Sequence, residues 1–453
     1  MSFPRYPSYR DSGVEWLGAV PEHWHVDRLK ASITSCRNGI WGEEAQGDEN
    51  DIPCVRVADF DRQKLQVQLC QPTIRNVTDK ERVGRLLERG NLLLEKSGGG
   101  EGQPVGCVVL YDDPQPAVCS NFVAKVELAP GMNPSYWRYV HAAAYAVRLT
   151  IGSINQTSGI QNLDQDRYFN ERAAFPPSDE QAAIATFLDR EIAKIDALVA
   201  EQRNLIELLK EKRQAVISNA VTKGLDPSVP MKDSGVEWLG EVPEHWAVMP
   251  LKRDMEFITS GARGWADNYS EDGDLFIRIG NLTRDSIRLD LTDIQRVTVP
   301  ESAEVARTQV QAGDVLFSIT AYLGSVAVAP PGLERAFVSQ HVALVRPRGL
   351  HLLPEWIAYV TASHVGKICL EMLGYGGTKV QLSLGDVENL LVTVPPLHEQ
   401  EAAVHFLDSA TANFDALIAE AQSAISLLQE RRTALISAAV TGQIDVRQAM
   451  PIA

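Results

Sequence analysis

Three proline pairs, two glycine-rich loops and nine histidines are the places where this 453-residue chain could carry out a reaction. A base-modifying methyltransferase would need a glycine-rich cofactor loop and an Asn or Asp followed by Pro-Pro and an aromatic. The proline pairs stand in "AFPPSDE", "APPGLE" and "VPPLHE", with no Asn or Asp before them and no aromatic after, so they read as punctuation. ATP use would need Gly-x4-Gly-Lys-Ser/Thr, whose backbone N–H groups cradle phosphates. "LGYGGTKVQ" (Leu373 to Gln381) lacks that ending, and "EKSGGGEGQP" has the glycines without the pattern. His23 and His245, like His398 and His405, have no Glu or Cys at metal-ligand spacing and are expected to pack or hydrogen-bond. Five of the six cysteines (Cys36, Cys54, Cys70, Cys107, Cys119) fall in the first half and Cys369 in the second. None forms Cys-x-x-Cys, which predicts free thiols rather than a zinc knuckle or a disulfide framework. The acidic cluster with a lysine that a nuclease requires is also absent. No residue set in the chain reads as catalytic.

The organisation is more informative. Residues 11–24 read "DSGVEWLGAVPEHW" and residues 233–246 read "DSGVEWLGEVPEHW", an offset of 222, and they differ only at Ala19 against Glu241. A second pair of segments, beginning "FPPSDEQAAIATFLDREIAKIDALVAEQ" at Phe175 and "VPPLHEQEAAVHFLDSATANFDALIAEA" at Val394, aligns without a gap at an offset of 219. Self-similarity at long period sets the architecture, so the chain is frame, middle, helix, then frame, middle, helix again. In the first helical segment Leu188, Ile195, Gln202, Leu209 and Val216 recur every seven residues, with Leu198 and Leu205 in the intervening seam and Ile192, Val199 and Ile206 widening it. The second repeats this with Leu407, Phe414, Leu417, Leu428 and Leu435, flanked by Ile418 and Ile425. "PPSDEQ" and "PPLHEQ" supply a proline stop and acidic residues suited to a helix N-terminus. Each rod is expected to run for about 34 residues, or ~50 Å. A sustained heptad asks for a partner helix, and each rod is the obvious partner of the other.

The middles share their pattern more than their residues. "IPCVRVADF" resembles "LFIRIGNL", and "NPSYWRYVHAAA" resembles "LPEWIAYVTAS". Short runs of Val, Ile, Leu and Phe bounded by Gly, Pro and Asn predict a mixed α/β globule of about 150 residues in each. Frames that agree must satisfy one shared constraint, and middles that differ must meet different surfaces. A two-lobed reader of a duplex matches this, because half-site spacing is set by protein geometry. The whole chain resembles the specificity (S) subunits of type I restriction–modification systems. The carriers of the resemblance are "DSGVEWLGxVPEHW" before each variable region, "AGDVLFS" in the second, "VPPLHEQ" entering the second rod and "LISAAVTGQID" closing it. The first middle departs from it, with "GNLLLEKSGGG" where the second has "GDVLFSITAY".

The resemblance implies an α+β fold: two mixed α/β target recognition domains in pseudo-two-fold arrangement, separated by two long antiparallel coiled-coil helices. The expected boundaries are a first recognition domain over 1–175, a helical spacer over 176–226, a second recognition domain over 227–394 and a second spacer over 395–453. It also implies a noncatalytic subunit that reads a bipartite, asymmetric double-stranded DNA site and docks two methyltransferase (M) subunits. Those subunits use S-adenosylmethionine to methylate adenine, and the assembly can recruit restriction (R) subunits that use ATP and Mg. No cofactor is expected in this chain itself.

Bases are read mostly by Arg, Lys, Asn and Gln on loops. In the first lobe the candidates are Arg37, Asn38, Trp41, Lys96, Ser97, Gln103, Asn155, Gln156 and Gln161. In the second they are Arg263, Trp265, Thr320, Tyr322, Tyr375, Thr378, Lys379 and Gln381, with "GYGGTKVQ" the foremost stretch. Arg56 and Arg278 lie in strand-like runs and suit a structural role equally. The formal net charge of −16 argues against a chain coated in positive potential. A basic groove can still coexist with acidic outer faces, and partner subunits can supply phosphate neutralisation. The same charge and the rods also suit a pseudo-dimeric protein scaffold that never touches nucleic acid. With no apolar run of eighteen residues and no apolar signal core, a soluble cytoplasmic protein without a membrane segment is expected.

Overall fold

The structure, a computed structural model, describes residues 3–100, 102–157, 159–261, 264–299, 306–320, 323–373 and 381–447. Its contacts divide the chain into two compact units, Met1–Gln202 with Ser423–Ala453, and Arg203–Gln422. Each unit thus holds one globule, part of the first long helix (Ser178–Lys223) and part of the second (Leu397–Val440).

In the first unit a six-stranded sheet runs in the order Ile33–Asn38, Val123–Leu128, Leu92–Glu95, Val108–Leu110, Gln66–Val67 and Phe60–Asp61. Leu92, Leu93 and Leu94 are all buried, as a strand covered on both faces requires. A second sheet joins Val118–Cys119, Asp51–Val55, Thr73–Asn76 and Glu43–Glu44, and a third joins Ser97–Gly98, Ile160–Leu163 and Ile154–Thr157. The second unit repeats this plan. Met255–Ser260, Val342–Pro347, Val315–Ser318 and Val326–Val328 form one sheet, and Tyr269–Ser270, Gln295–Val297, Asp274–Ile277 and Ala336–Val338 another. One helix covers each globule, Pro134–Ala146 or Pro354–Ala362, with Trp137 or Trp356 fully buried beneath it.

The repeated fourteen residues fold identically. Asp11 Oδ1 accepts from the Gly13 N–H at 3.0 Å and Asp233 Oδ1 from the Gly235 N–H at 2.9 Å, giving the same turn. Strand Tyr9–Asp11 then pairs with Ala19–Pro21, as Met231–Asp233 does with Glu241–Pro243. At the end of each hairpin the tryptophan is buried and its indole nitrogen donates to a glutamate in the first turn of a long helix. Trp24 Nε1 reaches Glu180 Oε2 at 2.9 Å, and Trp246 Nε1 reaches Glu399 Oε2 at 2.9 Å. His23 and His245 sit on the other carboxylate oxygens at 2.6 and 2.8 Å. The acids that suited a helix N-terminus therefore also tie the frame to the rod. Of the other two tryptophans, Trp16 donates to the Arg172 carbonyl at 2.9 Å, and Trp238 packs half-buried against its core.

Both long helices enter each core. In the first unit Ile184, Phe187, Leu188 and Ile192 pack with Ile436, Ala439 and Val440; in the second, Ile217, Ala220 and Val221 join Ala403 and Leu407. The helices measure 46 and 44 residues, longer than the heptad run alone suggested, because their last turns are buried in the globules. Ion pairs fix an antiparallel alignment within each unit: Arg432 with Asp196 at 3.4 Å, and Arg213 with Asp415 at 3.5 Å. These are one pair in two copies, since the ungapped alignment of the rods sets Asp415 on Asp196 and Arg432 on Arg213. Each arginine also donates to a globule carbonyl, of Gln63 or Asp285. The buried seam steps through Leu188, Ile192, Ile195, Val199 and Ile206. Leu198, Leu205 and Leu417, expected in that seam, are exposed because each lies beside the buried row rather than on it.

Removal of the glutamate anchors should weaken the two units unequally. Glu180→Ala strands a buried indole N–H and is expected to cost roughly 3 kcal/mol, whereas Glu399→Ala, at a carboxylate one-third exposed, should cost about 1 kcal/mol. Hydrogen-exchange protection of Leu92–Leu94 and Val315–Phe317 reads each unit separately, and equal losses would contradict this ranking. A second outcome concerns His141, buried in the first globule 2.8 Å from the Tyr168 hydroxyl, where burial pushes its pKa down to about 4. The unfolded chain takes up a proton below pH ~6.5 and the folded one does not, so first-unit stability should fall by ~3 kcal/mol from pH 6.5 to 4. His141→Gln should flatten that dependence; an unchanged slope would show that other groups set it.

Candidate nucleic-acid interface

Among the clefts of the two globules, one pair is built at the same place by the same backbone. In the first, the Ser120 N–H donates to the Val55 carbonyl at 2.9 Å, and the Val123 N–H closes back on the Ser120 carbonyl at 3.0 Å. In the second, Ser339 donates to Ile277 at 2.9 Å and Val342 closes on Ser339 at 3.0 Å. The result is a tight turn with two outward residues at its tip: Asn121 and Phe122 in one copy, Gln340 and His341 in the other. All four are exposed, Phe122 by 51%. Gly39 and Gly261 let the neighbouring chain pass beneath this turn, since a Cβ at either would lie 2.0 Å from a backbone carbonyl oxygen.

The first cleft encloses about 450 Å³ between Trp41, Arg56, Ser97, Ser120, Asn121 and Phe122. Trp41 is 39% exposed, with the Arg75 guanidinium 4.6 Å from its ring centre and donating to the Trp41 carbonyl at 3.0 Å. Arg56 is held by Asp59 at 3.1 Å. The Glu95 carboxylate forms the floor; burial raises its pKa against the opposing effect of Arg62, which donates to it at 2.7 Å. This buried pair is the structural content of the "LLLEKS" departure, because Ser318 stands at the corresponding end of the second strand. The second cleft encloses about 290 Å³ between Trp265, Tyr269, Arg278, Ser339, Gln340 and His341, and Arg278 is held by Asp293 at 3.0 Å. Arg56 and Arg278 thus occupy matched walls, each steered by a local acid.

The polar residues singled out by type divide into groups. Lys96 and Ser97 hang on the cleft turn, their N–H groups donating to the Phe122 carbonyl at 2.8 and 3.3 Å. Lys96 Nζ reaches Asn38 Oδ1 at 2.7 Å, which brings that end of strand Ile33–Asn38, with Arg37 exposed beside it, to the same rim. Ser97 pairs with Asn162 in the small third sheet, where Asn155 and Gln156 are exposed. Gln161 faces inward instead, accepting from the Val105 N–H at 3.2 Å, and Gln103 lies on an exposed turn whose carbonyl accepts from Gly100. In the second globule the Thr320–Gln381 bridge stands where Ser97 and Asn162 pair in the first. Trp265 is only 6% exposed and stacks on Phe276 at 5.1 Å, so it lines the cleft wall from within the core. Arg263, Tyr322, Tyr375, Thr378 and Lys379 lie outside the described residues.

Asn121, Phe122, Gln340 and His341 were not among the residues expected from sequence. The available signal was slight: "AVCSNFVA" and "AFVSQHVA" align at an offset of 219 and share Ala, Ser, Val and Ala, but Val118 against Phe337 and Cys119 against Val338 differ along with the tip residues. Among the described residues no cluster of His, Cys, Asp or Glu could hold a metal ion, and no helix is long and apolar enough to cross a membrane. Burial pushes the Cys36 and Cys54 thiols up to about 11 and those of Cys107 and Cys119 to about 12, which leaves them unreactive.

Comparison with known proteins places this geometry. Residues 243–426 match the type I restriction modification DNA specificity domain. The chain is 22% identical over 445 residues to a putative type I restriction enzyme MjaX specificity subunit of Methanocaldococcus jannaschii, covering 95% of this chain and 96% of that one. It is 25% identical over 311 residues to the EcoKI specificity subunit of Escherichia coli, covering 66% and 63%. Among solved structures, a chain from a study of complex assembly and conformational transition in a type I R-M system gives a TM-score of 0.65 at 17% identity, covering 93% of this chain and 98% of that one. The HsdS subunit from Thermoanaerobacter tengcongensis gives 0.52 at 16% identity over the same shares. At these identities the structural likeness is one of fold, two mixed α/β globules with two long helices.

If the turn pairs are contact surfaces rather than packing, replacing both with alanine should leave folding nearly unchanged. Asn121→Ala with Phe122→Ala, and Gln340→Ala with His341→Ala, should each shift thermal stability by less than ~0.5 kcal/mol. A loss above about 1 kcal/mol would assign these side chains to the globule's own core.

Proposed function

Starting from a chain that belongs with the specificity subunits of type I restriction–modification systems, we propose that it reads a bipartite double-stranded DNA site, one half with each cleft, and docks methyltransferase subunits that modify adenine. The observation that carries this is the pair of matched turns. Their backbones and flanking arginines coincide, while the two residues at each tip differ in shape and hydrogen-bonding capacity. A common scaffold with unlike tips is what a reader of two different half-sites needs.

The chemistry of the tips suits base readout. The Asn121 and Gln340 amides each offer a donor and an acceptor side by side, the pattern that pairs bidentately with adenine N6 and N7, at about 1–3 kcal/mol of discrimination. Phe122 offers an apolar face for a thymine methyl or for wedging at a base step. Lys96, Arg37, Asn155 and Gln156 on the first rim, and Thr320 and Gln381 on the second, are in reach of backbone or base-edge contacts. Arg263, Tyr322, Tyr375, Thr378, Lys379, Ser97, Asn38, Trp41 and Gln103 remain members of the proposed contact surface, with Trp265 as a wall of the second cleft and the inward-facing Gln161 as support beneath the first rim. The recognition domains are taken as 1–175 and 227–394, with 176–226 and 395–453 as spacers. S-adenosylmethionine would belong to the methyltransferase partner, and ATP with Mg to any restriction partner. The net charge of −16 fits that division, since a basic partner would then neutralise much of the phosphate backbone.

Methylation mapping in a host expressing the assembly tests this directly. Wild type should give a bipartite adenine-methylated motif. Gln340→Ala with His341→Ala should relax or change one half of the motif and leave the other intact, and Asn121→Ala with Phe122→Ala should do the converse. Loss of neither half, or identical changes in both, would overturn the assignment of one half-site to each globule.

A further inference from the structure

The two glutamate anchors are equivalent in sequence and unequal in surroundings. Glu180 is closed over, its side chain 7% exposed. Beyond Trp24 and His23 it accepts from the Tyr6 hydroxyl at 3.1 Å and has Arg447 Nη1 at 3.6 Å. Tyr6 is buried, its ring edge-on to Trp24 at 5.6 Å, with the Arg447 guanidinium 4.8 Å from its centre. Burial and the neighbouring carboxylate push the Tyr6 phenol well up, so it stays a donor. A tyrosine thus fills this corner, and a cation covers the tyrosine.

In the second unit that filling is missing. Among the described residues Glu399 accepts from Trp246 and His245, with His398 Nε2 4.0 Å away, and its side chain is 35% exposed. The alignment of the two fourteen-residue motifs, carried back along the chain, sets Ser228 on Tyr6. The Ser228 hydroxyl turns aside to Asp226 Oδ1 at 2.6 Å. A cavity of about 260 Å³ lies beside the carboxylate, walled by Gly224, Val229, Pro243, Trp246 and Ala403. That is below the ~300–1,000 Å³ of a site for a drug-sized ligand and suits a single side chain. Its lining is a tryptophan face, apolar walls, the Glu399 carboxylate with acceptor capacity to spare, and Lys223, Asp226 and His245, of which Asp226 already accepts from Ser228. A phenol matches the aromatic face, the apolar walls and the Glu399 acceptor, and an aliphatic side chain would leave that acceptor unused.

We propose that the cavity between Trp246, Val229 and Glu399 is a docking site for a tyrosine presented by a partner protein chain, held as Tyr6 is held in the first unit. The hydroxyl donates to Glu399 and the ring packs edge-on to Trp246. The face that Arg447 covers on Tyr6 would be open here to a cation from the same partner. One covalent chain thereby presents two like anchors to different purposes. The first is sealed by its own tyrosine, and the second is completed only in the assembly.

The probe is p-cresol, which carries the tyrosine side chain's atoms, with 4-methylanisole as the same ring without the O–H donor. Soaked crystals and saturation-transfer NMR of the full chain should place p-cresol against Trp246 with its hydroxyl on Glu399, and 4-methylanisole should bind at least tenfold more weakly. Val229→Phe, which fills the cavity, should abolish binding. Co-assembly with the methyltransferase, without DNA, should be weakened about fivefold or more by Val229→Phe; this arm rests on the proposed partner. Absence of p-cresol from the cavity, or equal affinity for the anisole, overturns the phenol site. Binding of p-cresol with assembly unaffected overturns the partner as its source while leaving the DNA-reading proposal untouched.

Discussion

Everything in the molecule hangs on a carboxylate at the first turn of each long helix accepting an indole N–H from the hairpin that precedes its globule. Both copies reproduce the geometry closely: 2.9 Å to Trp24 or Trp246, and 2.6 or 2.8 Å to His23 or His245. A buried indole donor has to be satisfied, and a charged acceptor makes that bond short and directional. Because tryptophan is rigid and its N–H points one way, the contact fixes both the distance and the angle at which hairpin meets helix. That explains why fourteen residues are retained twice almost unchanged while the sheets beside them drift.

A second constraint is reciprocal. Each globule packs on both long helices, so neither helix belongs to one globule. Arg432, from the second helix, pairs with Asp196 of the first and donates to the first globule; Arg213, from the first helix, pairs with Asp415 of the second and donates to the second globule. Tyr139 and Tyr359 add matched bonds to Asp189 and Asp408 at 2.7 and 2.6 Å. These ion pairs are partly buried, and their fixed register selects one alignment of the two helices within each unit. On such a frame the cleft turns can change residue without moving.

Much of this was legible in the sequence because it is written in periods. The repeat, the heptads and the strand-like middles come from spacing, which the fold preserves. The partner of the motif was less visible. Glu180 and Glu399 read as ordinary acids at a helix start, and nothing local says that a far-off indole, from Trp24 or Trp246, will claim them. Residue type alone did not show how Trp265 is held: it lines the second cleft while stacked in a small core. The turn tips were missed for a different reason. Asn121–Phe122 and Gln340–His341 sit inside runs that read as continuous strand, and their mismatch does not mark them, since Val118 against Phe337 and Cys119 against Val338 differ beside them. Leu198 and Leu205 show that a heptad identifies a stripe better than it identifies its edge.

The central claim is that two equivalent turns with unlike tips are the surfaces that meet DNA bases. A structure of the chain with its methyltransferase partners on a duplex carrying the methylated motif tests it most directly. The account predicts Asn121 or Phe122 against the bases of one half-site and Gln340 or His341 against those of the other, with amide-to-base distances of about 3 Å. Both turns facing solvent or protein, with the duplex held against other surfaces, would contradict it.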